Sequence, residues 1–301
     1  MLDSYSIKVH GIGGEMGRRI GLLSDIHGNL TALRAVLTDA AGRVDDYWVL
    51  GDVLLPGPGA GEILAELATV GATCVRGNWD DEALAVLRGE ADMNDPTDVY
   101  FTCLVRFLYE RIGDVGVTQM AAWPVTLTMT VESVTVALSH NLPTKLHGHD
   151  LLPQADQANF DRLFEGNSAD VAVIGHTHQQ MLRYGCGEQL VVNPGTVGAP
   201  YDRGKRGDLR ARYAVMTIDG RSVSGVEFRT VDYDVAREVE YARAVGLPYV
   251  EFYRDALEAG VYHTHDQAGL TEINARLGYD AVARAFIETR RAGVEPRGAT
   301  A

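Results

Sequence analysis

The sequence predicts an α/β fold built around a parallel sheet, and three observations carry that reading. Strand-length apolar runs alternate with stretches of helical spacing from residue 18 to residue 88. Gly- and Pro-containing breaks separate them. Asp, Asn and His residues recur just past the ends of the runs. Strand, helix, strand, helix, strand in this order is the pattern of a parallel sheet with crossover helices.

Taken in order, Arg18–Ser24 (RRIGLLS) reads as a short buried strand. Asn29–Ala41 sets Leu30, Leu33, Leu37 and Ala40 on one face and reads as a helix. Asp46–Gly51 is the second strand. The loop PGPGAG leads into a helix at Glu62–Val70. Gly57 and Gly59 in that loop either shape it or let a substrate approach the backbone. Ala72–Gly77 is the third strand, and a helix starts at Asp80–Arg88. Pro96–Gly113 is helical, with Val99, Leu104, Phe107 and Leu108 to one side.

The pattern then turns β-rich. Val125–Val131 and Val134–Ser139, split by Glu132 and Ser133, predict a hairpin. Gln154–Phe164 is helical and Val171–Ile174 is a buried strand. Further strands are expected at Met181–Tyr184, Gln189–Val192, Arg212–Ile218 and Ser222–Thr230. From Asp232 the chain reads as helical, at Tyr233–Val245, Pro248–Ala259 and Tyr279–Arg291, with Pro248 at a helix N1 position. The division expected is a disordered extension over 1–15, a main domain over 16–230, and a helical extension over 231–295 packed on it. Met16 is an alternative start. GIGGEMG, with Gly11, Gly13 and Gly17, has dinucleotide-loop spacing but precedes the first strand, where such a loop should follow one.

Composition narrows the function classes. The chain has 301 residues, 46% hydrophobic and 23% charged, which is enough for a full core. No run of about 18 apolar residues predicts a membrane span, and the N-terminus lacks a secretory apolar region. The net charge of −14 disfavours nucleic-acid binding, which needs a basic surface. A small anionic substrate remains compatible, because bound cations invert a local field. Cys74, Cys103 and Cys186 are dispersed and show no CxxC, so free reduced thiols and a cytoplasmic location are expected.

Five segments carry the chemistry: Ser24-Asp25-Ile26-His27-Gly28-Asn29, Gly51-Asp52, Gly77-Asn78-Trp79-Asp80, Ser139-His140-Asn141 and Gly175-His176-Thr177-His178. Sites in open α/β sheets form beyond the carboxyl ends of the strands, so these segments should converge there. They supply Asp25, Asp52 and Asn78 with four imidazoles, His27, His140, His176 and His178. That donor set suits two divalent transition-metal ions (Mn, Fe, Zn, Co or Ni) better than Mg or Ca. A pair of ions about 3.5–4 Å apart suits in-line displacement at phosphorus.

These motifs, DIH, GDVL, GNWD, SHN and GHTH followed by Asn193-Pro194-Gly195-Thr196, resemble those of the calcineurin-like metallophosphoesterases of the small bacterial and archaeal phosphodiesterase type. The resemblance covers roughly residues 18–230. It implies a four-layer α/β/β/α sandwich of two mixed sheets flanked by helices, here with a C-terminal helical extension. It also implies one metal held by Asp25, His27, Asp52 and His178, and another by Asp52, Asn78, His140 and His176. Asp52 would bridge them, and a metal-bridging hydroxide would attack phosphorus in line. On that resemblance Asp52, Asn78 and His140 would stand nearest the reaction.

One departure bears on the substrate. Many relatives carry a His after GN, near the leaving group, where this chain has Trp79. An alkoxide leaving group needs a proton. A nucleotide phosphate, with a second pKa near 6, does not. A phosphoanhydride or activated diester is therefore favoured, and Trp79 is read either as a base-stacking residue or as an apolar rim. GNWD and the helical C-terminus resemble bacterial asymmetric diadenosine tetraphosphate hydrolases. Arg203 and Arg206, in the basic stretch after NPGT, are candidates for distal phosphates. The expected partner is thus a small phosphate-containing substrate, with no membrane. The alternatives are a phosphodiesterase acting on another diester, such as a cyclic nucleotide, and a catalytically idle metal-binding scaffold. Two further His-x-His pairs are open to extra metal binding: His147 and His149 are read as the edge of the site or as bland residues, and His263 and His265 as bland residues or as such a pair. A homo-oligomer is compatible with the sequence, and the oligomeric state stays open.

Overall fold

Strand alternation explains how two sheets come to lie face to face. The computed structural model describes residues 4–9, 17–200 and 208–294. In β2 (Arg18–Leu23), Ile20 and Leu22 point to one face while Leu23 points to the other. In β3 (Asp46–Val49), Trp48 and Val49 divide the same way. Val171 and Val173 of β7 (Val171–Val173) meet Ile20, Leu22 and Trp48 in the core between the sheets, while Ala172 faces outward. Both sheets are therefore covered on two sides, which gives the four-layer sandwich.

The first sheet has the order β11-β10-β2-β3-β4, with β4 at Thr73–Cys74, β10 at Ala211–Asp219 and β11 at Ser222–Val231. β2, β3 and β4 run parallel, and β10 runs antiparallel to both β2 and β11. The second sheet has the order β1-β5-β6-β7-β9-β8. It comprises β1 (Ser4–Val9), β5 (Thr126–Val131), β6 (Val134–Ser139), β8 (Gln180–Tyr184) and β9 (Leu190–Pro194) with β7. β5 and β6 form the expected hairpin, and β7 is parallel to both β6 and β9. The two mixed sheets are those that the resemblance implies. The parallel run from residue 18 to residue 77 is real, but non-local pairing with β10 decides the sheet's other half.

Helices α1 (Leu30–Ala40), α2 (Ala60–Thr69), α3 (Asn78–Leu87) and α4 (Pro96–Ala121) cover the first sheet. α1 is capped by Asn29, whose side chain accepts from the Ala32 N–H at 3.0 Å. α4 is broken at Gly113, at φ +55°, where the sequence places the helix end, but a second helical stretch continues to Ala121. The outer layer on the second sheet is thin. The helix expected over 154–164 is only α5 (Gln157–Asp161) and a following 3-10 turn, burying Phe160 and Leu163.

The C-terminal helices are α6 (Val235–Ala244), α7 (Val250–Ala259), α8 (Gln267–Leu277) and α9 (Tyr279–Val294). They join the layer formed by α1–α4, with Val239, Tyr253, Leu257, Leu270 and Ile287 in one continuous core with Leu33 and Leu104. α8 was not expected. α7 begins after Tyr249, a left-handed residue at φ +52°, so Pro248 does not occupy N1. The disorder expected over 1–15 is corrected at Ser4–Val9, which pairs with β5 in parallel register. Most of the GIGGEMG stretch lies outside the described residues. No helix among the described residues is long and apolar enough to cross a membrane.

Candidate metal centre

The seven donors singled out in the sequence converge where the strands end. Asp25 and His27 follow β2, Asp52 follows β3, Asn78 opens α3 after β4, His140 follows β6, and His176 and His178 follow β7. Five of them sit in the left-handed region: Asp25, His27, Asp52, His176 and His178, with φ between +51° and +65°. Each such residue costs on the order of 1–3 kcal/mol, and strain of this kind clusters at functional sites. Backbone bonds hold the conformation, from Asp25 N to Gly51 O at 3.0 Å and from His27 N to Asp52 O at 2.9 Å. The motif glycines are required by close approach. A Cβ on Gly77 would lie 2.1 Å from Asp52 Oδ1, and one on Gly175 would lie 2.0 Å from Ser24 Oγ.

Every imidazole is oriented by a carbonyl. His27 Nδ1 donates to Leu55 O at 2.6 Å, His140 Nδ1 to Leu50 O at 2.6 Å, His178 Nδ1 to Ala199 O at 2.5 Å, and His176 Nε2 to Gly148 O at 2.9 Å. A carbonyl only accepts, so those nitrogens carry the proton and the opposite nitrogens face inward with lone pairs. The inward atoms are crowded. His27 Nε2 lies 3.3 Å from His178 Nε2, and His140 Nε2 lies 3.3 Å from His176 Nδ1. Asn78 Oδ1 sits 3.0 Å from His140 Nε2 and 2.9 Å from His176 Nδ1.

Two buried carboxylates complete the cluster. Asp25 Oδ1 lies 3.1 Å from His178 Nε2, off the line of a hydrogen bond, and is a buried oxygen without a hydrogen-bond partner. Asp52 Oδ2 lies 3.3 Å from His140 Nε2 and 3.8 Å from His27 Nε2. Two overlapping trios result, Asp25 with His27 and His178, and Asp25 with Asp52 and His140. An orphaned carboxylate oxygen among inward lone pairs is what a divalent cation satisfies. The mixed imidazole and carboxylate set fits a transition metal.

The charges obey the same logic. Burial works to raise Asp25 and Asp52, but the surrounding imidazoles, His178 foremost for Asp25 and His140 for Asp52, hold both below the usual range. Burial opposes the charged form of His140, yet Asp52 and Asp25 push it up to about 9. His176 is driven down to about 4 by burial and by the neighbouring His140. His178 is also raised, against burial, by the carboxylate of Asp25.

Three supporting residues escaped the sequence reading. Asp80 Oδ2 accepts from Asp52 N and Gly77 N, both at 2.9 Å, and Oδ1 accepts from Val53 N at 3.1 Å. Its signal is an Asp three residues past Gly77, the position from which a side chain reaches back to a helix start. Ser24 Oγ donates to Asp25 Oδ2 at 2.5 Å. Asn193 Nδ2 donates to Gly175 O at 2.6 Å, which ties NPGT to the GHTH turn.

Trp79 lies at the rim, edge-on to His27 with centroids 5.4 Å apart and against Phe101 at 4.5 Å. Its backbone N–H donates to Asp52 Oδ1 at 2.8 Å. Arg203 and Arg206 lie outside the described residues. His149 and His265 line a cavity with His176 and His178, while His147 is exposed. The PGPG loop has a packing role, because Gly57 is pressed between Gly28 and the Tyr253 hydroxyl.

A model of the calcineurin-like phosphoesterase superfamily domain matches residues 19–221. That span holds all seven donors and stops before α6. A metallophosphoesterase from Sphaerobacter thermophilus superposes with a TM-score of 0.61 at 26% identity, over 81% of this chain and 100% of that one. Hypothetical protein PH1004 from Pyrococcus horikoshii OT3 shares the fold, with a TM-score of 0.63 at 19% identity over 78% of this chain and 97% of that one. Uncharacterized protein MJ0912 of Methanocaldococcus jannaschii is 25% identical over 240 residues, which is 73% of this chain and 90% of that protein.

Proposed function

The chain belongs to the calcineurin-like phosphoesterase superfamily, and from that premise we propose that it is a binuclear-metal phosphohydrolase acting on a phosphodiester or a dinucleoside polyphosphate of the diadenosine tetraphosphate type. The observation that carries this reading is the convergence of four carbonyl-oriented imidazoles on two buried carboxylates and Asn78. One ion would be held by Asp25, His27, Asp52 and His178, and the other by Asp52, Asn78, His140 and His176. Two such ions, when bound, acidify a water and neutralise charge that builds on phosphoryl oxygens.

The protein's own groups do the rest. The carbonyls at Leu50, Leu55, Ala199 and Gly148 fix which imidazole nitrogen faces the substrate. The Asn78 amide, His140 and Asp52 lie together and would orient a phosphoryl group held at the ions. Trp79 offers no proton to a leaving oxygen, which favours a leaving group that departs as a phosphate. Free thiols at Cys74, Cys103 and Cys186 support a reducing compartment, the cytoplasm.

The test is incubation of Mn-loaded protein with diadenosine tetraphosphate, with products resolved by ion exchange. ATP plus AMP is the expected result. No turnover there, with cleavage of an activated diester in the same buffer, would remove the polyphosphate reading and leave a general phosphodiesterase.

A further inference from the structure

The helices beyond the matched span also build part of the site. α7 and the segment after it bring Phe252, Tyr253, Tyr262 and His263 opposite Trp79 and Tyr100. These side chains enclose a narrow cavity of about 60 Å³ whose floor includes His27 and His178. It shares Trp79, His178 and Tyr262 with a wider cavity of about 480 Å³ that runs past His176. We propose that the junction of the two cavities, where the narrow one opens into the wider one past Trp79 and Tyr262, is a subsite for a planar aromatic group joined to the phosphate of the substrate, an inference that rests on the phosphohydrolase reading above.

Four features support an aromatic occupant. Trp79, Tyr100, Phe252, Tyr253 and Tyr262 supply much of the wall, the kind of surface on which planar groups stack. The lining carries no Lys or Arg among the described residues, so no described residue there would counter a second phosphate. A polar handle is present and oriented: the His263 ring lies on Phe252 with centroids 4.1 Å apart at 20°, and its Nε2 is 3.0 Å from Asp255 Oδ2. The wall is also anchored. Tyr253 donates to the buried Glu238 at 3.0 Å, Glu238 accepts from Thr31 N at 3.0 Å, and Tyr262 donates to Pro200 O at 3.0 Å. A pre-formed pocket loses little affinity to ordering.

A nucleobase and a simple aryl ring share this chemistry, and calorimetric binding to the Mn-loaded protein separates them. The probes are inorganic phosphate, ribose 5-phosphate against AMP, and methyl phosphate against phenyl phosphate. A ring should tighten binding on the order of tenfold or more. Gain confined to AMP supports the subsite with a nucleobase as occupant, and gain with phenyl phosphate supports it with a smaller aryl. Phe252→Leu, which keeps apolar volume and removes the ring, should erase the gain and leave inorganic phosphate affinity unchanged. Phosphate binding with no gain from either ring would overturn the subsite and spare the phosphohydrolase reading, and this comparison needs no variant. Full discrimination in Phe252→Leu would also overturn the subsite. Failure of every probe to bind would overturn both.

Discussion

Asp52→Asn should lower turnover by about 10³-fold or more, equivalent to ~4 kcal/mol of transition-state stabilisation, and should abolish stoichiometric metal loading. The substitution conserves volume, and the amide oxygen can still accept from Trp79 N, as Asp52 Oδ1 does at 2.8 Å. What it removes is the negative charge 3.3 Å from His140 and 3.8 Å from His27. Metal content by elemental analysis and turnover of an activated diester check both halves. Unchanged turnover would sink Asp52 as the shared ligand.

Asp80→Ala is expected to have the largest effect on stability. It strips the acceptor from three buried N–H groups, those of Asp52, Val53 and Gly77. Each orphaned donor costs about 1–3 kcal/mol, so the sum is on the order of 3–5 kcal/mol once relaxation is allowed. For a chain of this size that lowers Tm by roughly 5–8 °C. Part of the loss is offset, because burial and the nearby Asp52 oppose ionisation of Asp80 and raise it to about 6. Metal affinity should fall with it, since the backbone that carries Asp52 loses its anchor. A melting scan of metal-free protein separates the two effects. A shift under about 2 °C would mean that Asp80 is not what holds this turn.

These two residues also mark how far the sequence could be read. Asp52 was legible because its signal is local, a Gly-Asp pair at the end of an apolar run, and the same holds for His140 and the GHTH pair. Asp80 stood inside a recognised motif, yet its task depends on contact with Asp52 and Val53, some 28 residues away. Strand and helix types in the first half followed from periodicity. The strand at β10 was read as well, but its antiparallel pairing with β2 was not, because that pairing spans nearly two hundred residues. α8 was hidden by Gly269 within its first turn, although Asp266 caps it by accepting from the Gly269 N–H at 2.9 Å. The aromatic wall opposite Trp79 was illegible for the same reason as the β10 pairing: nothing local in the sequence connects residue 79 to residues 252–263.

The central claim is that this cluster is a metal centre that hydrolyses phosphate esters, and the most direct test is titration of Mn²⁺ into chelator-stripped protein. Heat should be recorded in two buffers of different protonation enthalpy, with turnover of an activated diester followed on the same samples. His140 stands at about 9 in the metal-free chain, because Asp52 and Asp25 outweigh burial. At neutral pH it therefore holds a proton that must leave before the nitrogen can ligate. The account predicts saturable loading with net proton release, affinity that rises as pH climbs towards 9 and weakens as it falls, and turnover that appears in step with occupancy. Full turnover by the stripped protein, or saturable loading with neither proton release nor turnover, would contradict it.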